Sequence, residues 1–72
     1  MKVHDLTQIV LDGKPHVVDA PTNLADLVGQ LGHRPADVAT AVNGQFVARA
    51  ARAERVLRAG DSVTLFQAIV GG

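Results

Sequence analysis

The sequence predicts an α+β fold over residues 1–72, a single domain in which a mixed sheet of about five strands carries one main helix packed on one face. Three observations carry this. Two extended stretches are each interrupted by a turn dipeptide, Asp12-Gly13 and Asn43-Gly44, which is the short-range signature of a hairpin. Between them, Leu24, Leu27, Val28 and Leu31 fall at i, i+3, i+4 and i+7, a helical stripe. The chain then closes on Gly60-Asp61 and an alternating segment that runs into Gly71-Gly72.

Residues 1–6 have no partner in the pattern and read as an extension. Residues 7–11 form the first strand, with Ile9 and Leu11 on one face as core and Val10 on the other. Residues 14–19 return after the turn. Pro15 cannot donate to a ladder, so this second strand lies at an edge; the register of Val17 and Val18 stays open. Asn23 then caps the helix, with Asp26 in its first turn and Gly32 and Pro35 as stop signals. Gly29 inside the helix costs about 1 kcal/mol against alanine. Solvent exposure explains it more plainly than a close approach to the sheet.

Residues 38–42 and 45–48 flank Asn43-Gly44 as a second hairpin, and the alanine- and arginine-rich stretch 48–59 predicts a short helix of one or two turns with Val56 and Leu57 inward. In the last strand, Val63, Leu65, Gln67 and Ile69 point to one side and Thr64, Phe66, Ala68 and Val70 to the other. For one helix to cover one face of such a sheet, this last strand must lie parallel to the first, in the middle. That is a β-grasp arrangement, and it leaves the opposite sheet face uncovered. Val10 and Phe66 have the parity to occupy that open face, where a large aromatic favours partner docking. A one-residue slip would instead tuck Phe66 under the arginine-rich connection as core.

Beyond the strand, residues 68–72 form an expected flexible tail, Ala68-Ile69-Val70-Gly71-Gly72, that could span roughly 16 Å if extended. The alternatives are an expression scar and chance, and chance is weak, since a random terminal pair is Gly-Gly only roughly 0.5% of the time. A strand running almost directly into the pair argues for function, with the C-terminal carboxylate as the working group.

Composition limits the chemistry. A chain of 72 residues buries only about 60 to 65% of its unfolded surface, and the 47% hydrophobic content supplies the core economically. There is no cysteine, hence no disulfide, no thiolate nucleophile and no zinc-cysteine site. Seven basic residues balance seven acidic ones, which removes the long-range attraction that gathers nucleic acid or anionic membrane. No apolar run approaches a membrane span of about 20 residues. A soluble, cytoplasmic protein, monomeric when free, is expected.

Nothing inside the domain reads as catalytic. His4, His16 and His33 lie on different elements without metal-ligand spacing, so no metal is expected. The carboxylates fall mostly at turns and caps, where they bond the backbone, and Ser62 lacks a histidine in any motif context. Arg49, Arg52, Arg55 and Arg58 recur every third residue and read as a solvated face or a minor docking surface for an acidic partner. Nucleic acid is disfavoured, since Phe46 and Phe66 are the only aromatic residues of the Phe, Tyr and Trp types.

Over residues 7–72 the chain resembles the ThiS family, the ubiquitin-like sulfur carriers of thiamine biosynthesis. The likeness rests on Ala41-Val42-Asn43-Gly44 with the following strand and Arg49, on residues 57–61 with their Gly-Asp turn, and on Phe66-Gln67-Ala68-Ile69-Val70-Gly71-Gly72. The resemblance implies a carrier rather than an enzyme. An E1-like adenylating enzyme of the ThiF type would join Gly72 to AMP, sulfur would replace one carboxylate oxygen, and the thiocarboxylate would feed a thiazole synthase of the ThiG type. ATP would be bound by the partner and no cofactor by this chain. Ala68, Ile69, Val70 and Gly71 would be read as the tail enters the partner, and glycines at 71 and 72 would pass a narrow channel without Cβ clashes. Many relatives have Pro where this chain has Ala48 and Trp where it has Ala53. The competing readings are the small subunit of molybdopterin synthase, which often carries prolines before its end, a ubiquitin-like protein modifier, and a stand-alone β-grasp binding module.

Overall fold

Asp12 and Asn43 both adopt positive φ, 49° and 53°, and each is followed by a glycine at positive φ, 83° and 81°. Paired left-handed residues make the two-residue turn whose twist matches that of flanking strands, and these positions tolerate only short polar residues or glycine. In the computed structural model, which describes residues 5–67, each turn therefore closes a tight antiparallel hairpin. The first joins β1 (Leu6–Leu11) to β2 (Lys14–Asp19), and the second joins β3 (Val38–Val42) to β4 (Gln45–Val47).

β5 (Ser62–Gln67) takes the centre of the five-stranded sheet, whose order is β2-β1-β5-β3-β4. It runs parallel to β1, with Val10 opposite Ser62 and Leu11 opposite Val63, and antiparallel to β3, from Val42 opposite Val63 to Val38 opposite Gln67. The parallel central pair is the one expected from the order of the elements. Pro15 sits on β2, an outer strand.

One face of this sheet is covered by α1 (Leu24–Gln30). Asn23 caps it by accepting a hydrogen bond from the Asp26 backbone N–H at 2.8 Å. At the other end Gly32 turns left-handed, and the His33 and Gly32 N–H groups donate to the Val28 and Gly29 carbonyls, so the last turn is satisfied before the chain leaves. Leu24, Leu27 and Val28 are buried, and the core is completed by Ile9, Val18, Val42, Leu57 and Val63. The register question resolves with Val18 inward and Val17 outward. Gly29 is exposed, and a Cβ placed there would touch nothing within 4 Å, so no close approach requires the glycine.

Three expectations need refinement. The short helix expected within 48–59 is a 3-10 helix over Arg49–Glu54, and the rest of the stretch is extended chain. That extended chain docks on the start of α1: the Leu24 N–H donates to the Arg55 carbonyl and the Leu57 N–H to the Thr22 carbonyl. Extended residues alternate sides, so Val56 and Leu57 cannot both turn inward. Leu57 is buried, whereas Val56 bridges to Asn23 and stays 44% exposed. Leu6, assigned to an extension in the sequence, already belongs to β1. Among the described residues no helix is long and apolar enough to cross a membrane.

Candidate functional site

The face of the sheet away from α1 carries the residues of opposite parity to the core. Phe66 lies there, opposite Ala39 and 53% exposed, so it is not packed beneath the arginine-rich connection. Val10 lies on the same face, half-buried between Pro15 on β2 and Ser62 on β5. Phe46, opposite Ala41 on the outer strand β4, joins them and is 72% exposed. The sequence reading missed Phe46, although the two-residue Asn43-Gly44 turn determines it. Gln45 must face Val42, a core residue, so Phe46 must point the other way.

The two phenylalanines therefore stand on one face with Ala39 and Ala41 between them. Among the described ladder residues of that face only Asp19, at the end of β2, carries a charge. The uncharged polar ladder residues of that face are Gln8, Ser62 and Thr64, and the rest are apolar; contiguous exposed apolar area is uncommon on monomeric domains.

Next to this face β5 delivers the chain to its tail. Gln67 is the last described residue; the tail residues Ala68, Ile69, Val70, Gly71 and Gly72, including the residue expected to react, lie outside the described residues. The root of the tail is fixed from both sides. β3 pairs with β5 along its whole length, and on the other side Asp12 accepts the Leu65 N–H through its Oδ1 at 2.9 Å. A turn residue thus caps the strand edge just before the exit.

The motif residues Asn43 and Asp61 turn out to hold this frame together. The Asn43 side chain donates to Asp61 Oδ1 at 3.0 Å and accepts the Ser62 N–H at 2.9 Å. Asp61 also accepts the Arg58 backbone N–H at 2.8 Å and pairs with Arg55 at 3.3 Å. Burial alone would raise the Asp61 pKa, but the Arg58 N–H, the Asn43 amide and Arg55 outweigh it and hold the carboxyl below its ordinary value. This network ties the second hairpin to the start of β5.

The arginine stripe is not one solvated face. Arg49 and Arg58 are exposed, but Arg52 is buried at 3% exposure. Its guanidinium donates to Thr40 Oγ1 at 3.1 Å, to the Pro35 carbonyl at 3.0 Å and to the Val38 carbonyl at 2.6 Å. The 3-10 helix packs against α1, and from it the Arg52 side chain reaches inward to Thr40 and Val38 of β3. The cation is retained because the planar fork finds three oxygens. Of the histidines, His16 is half-buried, His33 is exposed and His4 lies outside the described residues. Among the described residues no three metal-ligating side chains come together.

Comparison with known proteins agrees with this geometry. Residues 4–72 match the model of the ThiS family. The chain is 35% identical over 65 residues to the sulfur carrier protein ThiS of Escherichia coli (strain K12), an alignment spanning 90% of this chain and 98% of that protein. Its structure superposes on the crystal structure of a thiamine biosynthesis protein (ThiS) from Geobacter metallireducens with a TM-score of 0.78 at 26% identity, covering 92% of this chain and 100% of that one. An NMR solution structure of a thiamine biosynthesis protein from the same organism gives 0.72 at 28% identity, over 92% and 88% of the two chains. With its β-grasp sheet, its open apolar face and a family match over residues 4–72, the chain belongs to the ThiS family.

Proposed function

We propose that this protein is a sulfur carrier for thiamine biosynthesis, with Gly72 as the residue that carries the sulfur. The observation that supports this best is the family match over residues 4–72, which includes the Gly71-Gly72 pair at the end of the sequence. A carboxylate is a poor electrophile. Attack of the Gly72 carboxylate on ATP, with loss of pyrophosphate, gives an acyl adenylate whose AMP is a good leaving group, and a sulfur nucleophile then displaces AMP to leave a thiocarboxylate. The groups that catalyse these steps and hold ATP belong to an E1-like adenylating enzyme of the ThiF type, and a thiazole synthase of the ThiG type consumes the sulfur. The carrier's own contribution is presentation: an accessible end, read through Ala68, Ile69, Val70 and Gly71, and a face on which the enzyme can settle. Phe66 and Val10 form the docking surface, joined by Phe46, because their exposed apolar area is released from water only against a partner.

The test is ATP–pyrophosphate exchange by an adenylating enzyme of the ThiF type in the presence of this chain. Exchange is expected with the intact protein and is lost when Gly72 is deleted, while thermal unfolding stays unchanged. Exchange that persists without Gly72 contradicts the assignment.

A further inference from the structure

We infer that the β1-side edge of β5, from Leu65 to Gln67, is where the enzyme that takes the tail adds an extended segment of its own. The inference rests on the carrier reading above and adds how the root of the tail is recognised: through the main chain.

The strand register carries it. β1 pairs with β5 only at Val10 opposite Ser62 and Leu11 opposite Val63, then turns away through Asp12-Gly13, whereas β5 continues to Gln67. The Asn43 N–H donates to the Ser62 carbonyl at 2.7 Å, so the even-numbered residues of β5 address β3. The Asp12 N–H donates to the Val63 carbonyl at 2.9 Å and the Leu65 N–H to Asp12 Oδ1 at 2.9 Å, so the odd-numbered residues address the β1 side. Gln67 N–H and the Leu65 carbonyl follow the same alternation. Beyond Val63 no described strand lies on that side.

Free strand edges are usually protected by proline, lysine or a bulge. The outer strand β2 has such protection in Lys14 and Pro15; on β5 Asp12 takes the Leu65 N–H, and past that bond the Leu65 carbonyl and the Gln67 N–H have no proline, lysine or bulge beside them. An open cleft of about 400 Å³ runs beside it, bordered by Asp12, His33, Asp37, Leu65 and Gln67, so there is room for another chain. The occupant follows from reach. Five residues after Gln67 span at most roughly 16 Å, so an enzyme working on Gly72 must come within that distance of Gln67. Of the two edges of β5 there, only the β1 side is not already paired among the described residues, since β3 holds the other. A partner segment that pairs here binds the last described residues of β5 through backbone hydrogen bonds, with little demand on side chains.

Amide hydrogen exchange followed by NMR, with and without an adenylating enzyme of the ThiF type, tests this together with two variants. The Gln67 N–H is expected to exchange fast in the free protein and to slow in the complex. Gln67→Pro, which removes that donor, is expected to weaken binding roughly tenfold, the worth of one well-made backbone hydrogen bond, whereas Gln67→Ala stays within about twofold. Neither lowers the unfolding midpoint, since Gln67 N–H makes no bond to β3. Equal affinity of the two variants, or a Gln67 amide that exchanges as fast in the complex as in the free protein, overturns the inference and leaves the carrier reading intact. Slow exchange that grows with concentration of the free protein places a second copy on this edge and overturns it as well.

Discussion

Arg52 is the residue whose role changed most between sequence and structure. Spaced with Arg49, Arg55 and Arg58, it reads as one of four equivalent surface cations, yet its guanidinium bonds three oxygens from Thr40, Pro35 and Val38. Burial, and then the neighbouring Arg49, pull its pKa below the ordinary guanidinium value, but it remains the charged donor. Arg52→Ala leaves those oxygens without a donor and is expected to cost about 3 kcal/mol in denaturant unfolding. Arg49→Ala, at an exposed position, should stay within about 0.5 kcal/mol. Asp61 gives a pH signature. Its folded pKa is lowered, so the stability it contributes is present above the ordinary aspartate value near 3.9 and is lost as pH falls through the lower folded value. Asp61→Asn should therefore be less stable than the parent at pH 7, and the two unfolding curves should converge in strong acid. Phe66→Ala, by contrast, should cost little stability because the ring is half out of the protein, while binding to the adenylating enzyme weakens by more than about 1 kcal/mol. A loss of folding energy of about 3 to 5 kcal/mol would mark it as core instead.

At the scale of elements, what was legible is what local chemistry decides. The two hairpins follow from Asp12-Gly13 and Asn43-Gly44, and the helix from Asn23, its aliphatic stripe and Gly32, because caps and positive-φ turns are specified by residues close in sequence. The 49–57 connection was legible only in part, as a short helix without its type or its end. Alanine and arginine favour α-helix intrinsically, but the bonds from Leu24 and Leu57 to residues distant in sequence hold this chain extended after Glu54, and tertiary contacts outweigh propensity. Gly29 offers an element-scale test. It lies within α1 with open space where a Cβ would point, so Gly29→Ala is expected to stabilise by about 0.5 to 1 kcal/mol and raise the melting temperature by roughly 2 to 8 °C. A drop in melting temperature would mean that the glycine serves the last turn in some other way.

For the molecule as a whole, the division of labour follows from the sheet. α1 and the 49–57 connection cover one face and close the core, which leaves the other face open, and the central strand is described as far as Gln67. The open face was legible for Phe66 and Val10 from parity alone. Phe46 required the register of the second hairpin, and the edge at Gln67 required knowing where β1 stops. The proposal that Gly72 is the reacting end rests on the sequence and the family match. That chemistry is open to direct measurement by the intact mass of this chain after incubation with an adenylating enzyme of the ThiF type, ATP and a sulfur source. A gain equal to the exchange of one oxygen for sulfur, located in the C-terminal peptide and absent when Gly72 is deleted, is the expected result. An unchanged mass in the presence of an enzyme that demonstrably adenylates this chain, or a gain located anywhere other than Gly72, would contradict the assignment of this protein as a sulfur carrier.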